Sequence, residues 1–208
     1  MTELPRLSQP GGKYVVKYDA WNRLVAIYTE LDLVNAVARY EYDGKHQRIV
    51  KEVDVDDNGT VDGTWHYYYN EDWQVIEERF GADPATATVD AQYVWHPHYV
   101  DALALRYWDS DNSGSLDAYH YYLQDANYNV TAVANATGAV VERYAYTPYG
   151  EVTFLNGASD ADGAVAEWAV DLGGSDIENV YLFTGRERDW ETGLQNSRYR
   201  FYAAHLGR

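Results

Sequence analysis

The chain has 208 residues, enough for one large domain or two small ones. Its 33 acidic residues against 16 basic ones give a formal charge of −17, which repels phosphate backbones and argues against a nucleic-acid partner. Cysteine is absent, which excludes disulfides and thiolate metal sites, and no run of about 18 apolar residues is available for membrane insertion.

Residues 1–12 contain Pro5, Pro10 and two glycines but no apolar run, so they read as a loop and not as a signal peptide. From residue 13 to 154 an aromatic pattern recurs, drawing on a chain with 21 tyrosines and 7 tryptophans but only 4 phenylalanines. The anchors are Lys17-Tyr18-Asp19, Tyr40-Glu41-Tyr42-Asp43, Tyr67-Tyr68-Tyr69-Asn70, Tyr93-Val94-Trp95-His96, Tyr119-His120-Tyr121-Tyr122 and Tyr144-Ala145-Tyr146. Their second aromatics fall at 18, 42, 69, 95, 121 and 146, in steps of 24, 27, 26, 26 and 25, so about six units of about 25 residues are expected. Within a unit an alternating aromatic strand meets a turn rich in Asp, Asn and Gly, and a second apolar strand leaves it, which is a hairpin pattern. Helix competes only over Leu31 to Val37 and Ala164 to Val170. A lone hairpin cannot bury its apolar face, so the units must stack into an all-β, curled and extended sheet of successive antiparallel β-hairpins. Residues 155–180 break the repeat and read as an irregular loop, and residues 181–208 form a separate closing motif.

Two turns share one acidic template. Asp54, Asp56, Asn58, Gly59 and Asp62 follow the order D-x-D-x-N-G-x-x-D, and Asp109, Asp111, Ser113, Gly114 and Asp117 repeat it 55 residues later. Calcium takes six or more hard oxygens, which such a loop supplies from side chains at positions 1, 3, 5 and 9 and from the backbone carbonyl at position 7, here Thr60 and Ser115. An EF-hand does not fit, because position 12 is Trp65 or His120 where a bidentate glutamate is needed. The same residues also make ordinary hairpin turns, and both readings stay open. His96 and His98 offer an H-x-H pair with no evident third ligand, and favour a turn or packing role. Paired carboxylates such as Glu71-Asp72 and Glu77-Glu78 read as solvated faces, since acid–base chemistry needs a pocket.

Tyr18-Asp19-Ala20-Trp21-Asn22-Arg23-Leu24-Val25 resembles the YDxxGRL unit of RHS/YD-repeat proteins, with Asn22 where glycine is usual. Tyr144-Ala145-Tyr146-Thr147-Pro148-Tyr149-Gly150, Phe183-Thr184-Gly185-Arg186-Glu187-Arg188-Asp189 and Glu191-Thr192-Gly193-Leu194 resemble the RHS-repeat-associated core domain, as does the stretch Asn196 to Arg208. The resemblance implies part of a β-spiral shell, secreted or at the bacterial cell surface. Its partners would be the rest of its own longer polypeptide or an enclosed C-terminal toxin, with adhesion as the alternative; the recurring Trp and Tyr rows could also stack on glycans, although their register with the repeat favours packing between hairpins. It implies a structural module and not an enzyme. The resemblance places the family's self-cleaving aspartate segment downstream of Leu206-Gly207-Arg208; that segment is absent from this sequence and Ala203-Ala204 stands where the family has Asp-Pro, so self-cleavage does not carry over and the closing motif reads as truncated.

Overall fold

The computed structural model describes residues 2–5, 13–29, 33–157 and 168–208. Thirteen strands follow one another: β1 (Thr2–Pro5), β2 (Lys13–Tyr18), β3 (Leu24–Thr29), β4 (Ala36–Tyr42), β5 (Arg48–Val53), β6 (Gly63–Tyr69), β7 (Val75–Phe80), β8 (Thr88–Trp95), β9 (Leu103–Trp108), β10 (Ala118–Gln124), β11 (Val130–Asn135), β12 (Val140–Tyr146) and β13 (Val152–Asn156). Each pairs antiparallel with the next in strict chain order, so the chain is all-β and its sheet is an open run of hairpins. Strand β1 corrects the expected loop at residues 2–5; residues 1 and 6–12 lie outside the described residues. Its Pro5 sits at the end of an edge strand, where a missing N–H removes no required ladder bond. The helix considered over Leu31 to Val37 is likewise replaced, because Ala36 and Val37 begin β4; residues 30–32 and 158–167 lie outside the described residues.

The turns after β2, β4, β6 and β10 share one chemistry. Asp19 Oδ1 accepts the backbone N–H groups of Trp21 and Arg23, both at 2.9 Å, and Asp43 does the same for Lys45 and Gln47. Asn70 and Asp125 repeat the arrangement, and Asn135 does so in the turn from β11 to β12. Asn22, where glycine was usual, takes a left-handed φ of 61°, and His46, Trp73 and Tyr128 occupy the equivalent position.

The two aromatics of a unit, two residues apart on one face, divide their work. The second points its polar tip at the hairpin before it. Tyr42 donates to the Leu24 carbonyl at 2.7 Å, Tyr69 to Arg48 at 3.0 Å, Trp95 to Val75 at 2.7 Å and Tyr146 to Val130 at 2.6 Å. In the fifth unit this role falls to Gln124, which donates to the Asp101 carbonyl at 3.0 Å, while Tyr121 faces outward. The unit spacing is therefore corrected to 18, 42, 69, 95, 124 and 146. The even steps around Tyr121 came from aligning the wrong face of β10, since a shift of an odd number of residues turns a strand over.

The first aromatic of each pair, Tyr40, Tyr67, Tyr93, Tyr122 and Tyr144, is buried on the inner face. Against it lies the C-terminal segment from Ser175 onward, which carries only short 3₁₀ turns at Phe183–Gly185 and Ala204–Leu206 and the two-residue strands β14 (Gln195–Asn196) and β15 (Phe201–Tyr202). This segment reports the curl directly. Trp190 packs on Phe154 of β13 at 5.4 Å, while the next residue, Glu191, accepts through its carbonyl from Tyr14 of β2 at 3.0 Å. Eleven strand spacings of about 4.8 Å would hold β2 and β13 roughly 50 Å apart in a flat sheet. The sheet therefore wraps around the segment as around a spine, without β1 and β13 pairing.

Candidate functional site

The two acidic templates adopt the same loop. Asp54 accepts from the N–H groups of Asn58 at 3.1 Å and Gly59 at 2.8 Å, and Asp109 accepts from Ser113 at 3.0 Å and Gly114 at 2.6 Å. Asp62 reaches back to the N–H of Val55 at 2.8 Å, and Asp117 to that of Ser110 at 2.8 Å. Asp57 and Asn112 are both left-handed, and Gly59 and Gly114 follow at φ 88° and 84°, which explains the glycine at position 6. The loops differ in how their carboxylates converge. Asp54, Asp56 and Asp62 each bring an oxygen within 4.8 Å of the others, and they are the one such acidic group among the described residues. Asp109, Asp111 and Asp117 do not reach that closeness; there Asp117 also accepts from the Ser110 hydroxyl at 2.9 Å. Burial opposes ionisation of Asp109, but the N–H groups of Gly114 and Ser113 outweigh it and hold the carboxyl below its usual range. His96 and His98 stack on one another with ring centroids 5.6 Å apart and join no metal-ligand group of three among the described residues.

The second notable constellation was not read as a site from sequence. Arg48 on β5 is buried to 1% side-chain exposure and forms an ion pair with Glu187, plus two bonds to Asp189 at 2.9 and 2.8 Å. Tyr40 donates to Asp189 at 3.0 Å, Tyr67 to Glu187 at 3.1 Å, and Lys51 approaches Asp189 at 3.4 Å. Both Asp189 oxygens are thus held by donors. Burial opposes the charge of Asp189, yet Arg48 and Lys51 overcome it and hold the carboxyl below the normal range. Burial first, and then the neighbouring carboxylates, push the hydroxyls of Tyr40 and Tyr67 well above theirs. Groups so fixed are suited to pairing, not to proton transfer near neutrality.

The same segment ties down the other end of the sheet. Asn179 accepts from Tyr122 at 2.8 Å and donates to Tyr144 at 2.9 Å, and Glu142 accepts from Ser175 at 2.9 Å and from the Asp176 N–H at 2.8 Å. Midway, Arg186 at 3.2 Å and Arg198 both pair with Asp101. Gly185, at φ 66°, lies against the Asp101 carbonyl where a Cβ would collide with that oxygen. The FTGR stretch is therefore a contact motif: glycine for the close approach, arginine for the ion pair.

No family model matches the chain. It is 26% identical over 196 residues to the tRNA3(Ser)-specific nuclease WapA of Bacillus spizizenii and 28% identical to the tRNA(Glu)-specific nuclease WapA of Bacillus subtilis subsp. natto, covering 94% of this chain in both. It spans 7% of the length of these relatives. Among solved structures, TcdB2-TccC3 superposes with a TM-score of 0.63 at 19% identity, over 94% of this chain and 9% of that one. The Tc holotoxin pore of Photorhabdus luminescens superposes with a TM-score of 0.63 at 18% identity, over 92% and 8%. These structures share the hairpin sheet.

Proposed function

The chain is an RHS/YD-repeat protein, and from that premise we propose that it is a non-catalytic wall section of a shell, secreted or at the cell surface, that encloses a C-terminal toxin of the same polypeptide. The observation that carries this reading is the division of labour in the repeat: one aromatic bonds to the preceding hairpin, the next to the spine, and the aspartate closes the turn. Such a design extends strand by strand and leaves outer edges for further strands. The relatives' names mention tRNA nucleases, but the chain spans only 7% of them, and its charge of −17 opposes an RNA backbone. Incubation with total tRNA in magnesium-containing, low-salt buffer is expected to leave the RNA intact; specific cleavage by this chain contradicts the non-catalytic reading.

We also propose that calcium occupies the loop of Asp54, Asp56, Asn58 and Asp62, with the Thr60 carbonyl, and binds the loop of Asp109, Asp111, Ser113, Ser115 and Asp117 more weakly. Support comes from the converging oxygens of the first loop and the looser set of the second. Millimolar calcium is expected to raise the melting temperature, and Asp54→Asn to remove most of the rise. Equal melting in calcium, magnesium and EDTA sinks the proposal.

An adhesion module that binds glycans or proteins is the second reading. It is favoured by the outward aromatics: Tyr107 and Tyr119 stack at 4.1 Å beside Tyr121, which is 47% exposed. A glycan array separates the two readings.

A further inference from the structure

Between the inner face of β5–β9 and the spine lies a cavity of about 420 Å³, whose rim reaches Val55 at the start of the first acidic loop but includes none of that loop's carboxylates. Five of its lining residues are acidic (Glu78, Asp90, Glu178, Glu187 and Glu191) and two are basic, Lys51 and Arg106. Both cations are already engaged through their terminal nitrogens, with the Arg106 Nε–H alone left without a partner. Lys51 stands between Asp189 at 3.4 Å and Glu191 at 3.8 Å, while Arg106 donates to the carbonyls of Ile177 and Glu178 and contacts His120 at 2.9 Å. Glu187 belongs to Arg48. Two acceptors are left over. Glu78 is 6% exposed and the Glu191 side chain 5%, and one oxygen of each has no hydrogen-bond partner. A buried oxygen in that state carries its full desolvation cost until a donor arrives.

We propose that this cavity binds a small aliphatic diamine, its two ammonium groups on Glu78 and Glu191 and its methylene stem between the Trp65 and Trp108 rings. A single metal ion fits poorly, because these carboxylates do not come together within 4.8 Å as a ligand group among the described residues. Glu78 lies on β7 and the Lys51 that Glu191 faces lies on β5, strands whose backbones are about 10 Å apart at the usual spacing. That distance suits two donors on one flexible stem. The walls accept cations already: Lys51 sits over Trp65 at 5.1 Å and Arg106 over Trp108 at 4.4 Å. Protonation points the same way. Burial, with Glu187 nearby, raises Glu78 to about 8, burial raises Glu191 to about 7 and also raises Asp90 to about 6, as expected of a site short of positive charge. An arriving ammonium ion would ionise Glu78 and Glu191, so binding at pH 7 must expel protons.

Calorimetric titration of the full chain with cadaverine, in phosphate and in Tris at pH 7, tests this. The expected result is saturable binding with release of about one proton per site, at least about tenfold weaker in Glu78→Gln and in Glu191→Gln, whose side chains mimic the protonated acids. Pentane-1,5-diol, neutral and of similar length, should give no saturable heat. The proposal is overturned if cadaverine gives no saturable heat at millimolar concentration, if the diol binds equally well, if binding expels no proton, or if the double variant melts like the parent and still binds unchanged.

Discussion

The hairpin sheet and the C-terminal spine obey different rules although they share one core. In the sheet, backbone ladders and turn aspartates satisfy polar groups within a few residues of one another; Asp43 serves Lys45 and Gln47. In the spine, few backbone groups sit in ladders, and the segment is held by side-chain pairs distant in sequence, such as Arg48 with Asp189, 141 residues apart. The difference teaches that the repeat determines how strands follow one another, while the spine determines how far the sheet curls. A hairpin repeat alone does not bring β2 and β13 to neighbouring residues; Trp190 and Glu191 do.

The comparison breaks most severely at Arg48. Arg48→Met strands Glu187 and Asp189 in the interior, and removing one partner of a buried ion pair costs about 3–5 kcal/mol. Urea denaturation should show that loss, and adding Glu187→Gln with Asp189→Asn should recover part of it. An unchanged midpoint for Arg48→Met would contradict the spine's role. A smaller effect sharpens the contrast within one strand. Tyr67→Phe removes a donor to spine Glu187, and Tyr69→Phe removes a bond to the Arg48 carbonyl. The first should cost about 1–3 kcal/mol, because a buried carboxylate loses a donor, and the second about 1 kcal/mol.

Stability should also depend on pH in a direction set by two cavity carboxylates, Glu78 from the sheet and Glu191 from the spine. Glu78 and Glu191 have raised folded values of about 8 and 7, so the stability they contribute is fully present below about pH 4.5 and is lost as pH rises through 7 and 8. Asp189 is depressed, so its contribution is present above the ordinary carboxylate range and lost as pH falls. The melting temperature should therefore peak on the acid side of neutrality and decline towards pH 8, and Glu78→Gln should flatten that decline. The smallest effect is expected on the outer face, where Tyr121→Ser should change stability by no more than about 0.5 kcal/mol.

The sheet was legible in sequence because its causes are local. Tyr-x-Tyr alternation, the following Asp or Asn and the left-handed turn residue all lie within about ten residues, and the C-terminal motifs carried the family likeness. Three features were not legible. Tyr119-His120-Tyr121-Tyr122 places aromatics on both faces, and alternation alone could not say that Tyr122 and Gln124 face inward. Glu78, read as part of a solvated pair, faces the interior next to outward Glu77, since neighbouring residues in a strand point to opposite sides. The partners of Arg48 arrive from the other end of the chain, and no spacing rule links them. The acidic loops were legible as loops, with the glycine at position 6 making the turn, while their shared hydrogen bonds emerged only from the fold.

The central claim, that this chain is a wall section of a shell, is tested most directly by electron cryo-microscopy of a longer natural polypeptide that contains it. Further YD-type strands are expected to pair with the free edge of β1, the curl of this sheet to continue around a lumen, and the spine residues Glu187 and Asp189 to remain paired with Arg48. A map in which the β1 edge is bare and the neighbouring domains hang separately from it, with no enclosed volume, would contradict the account.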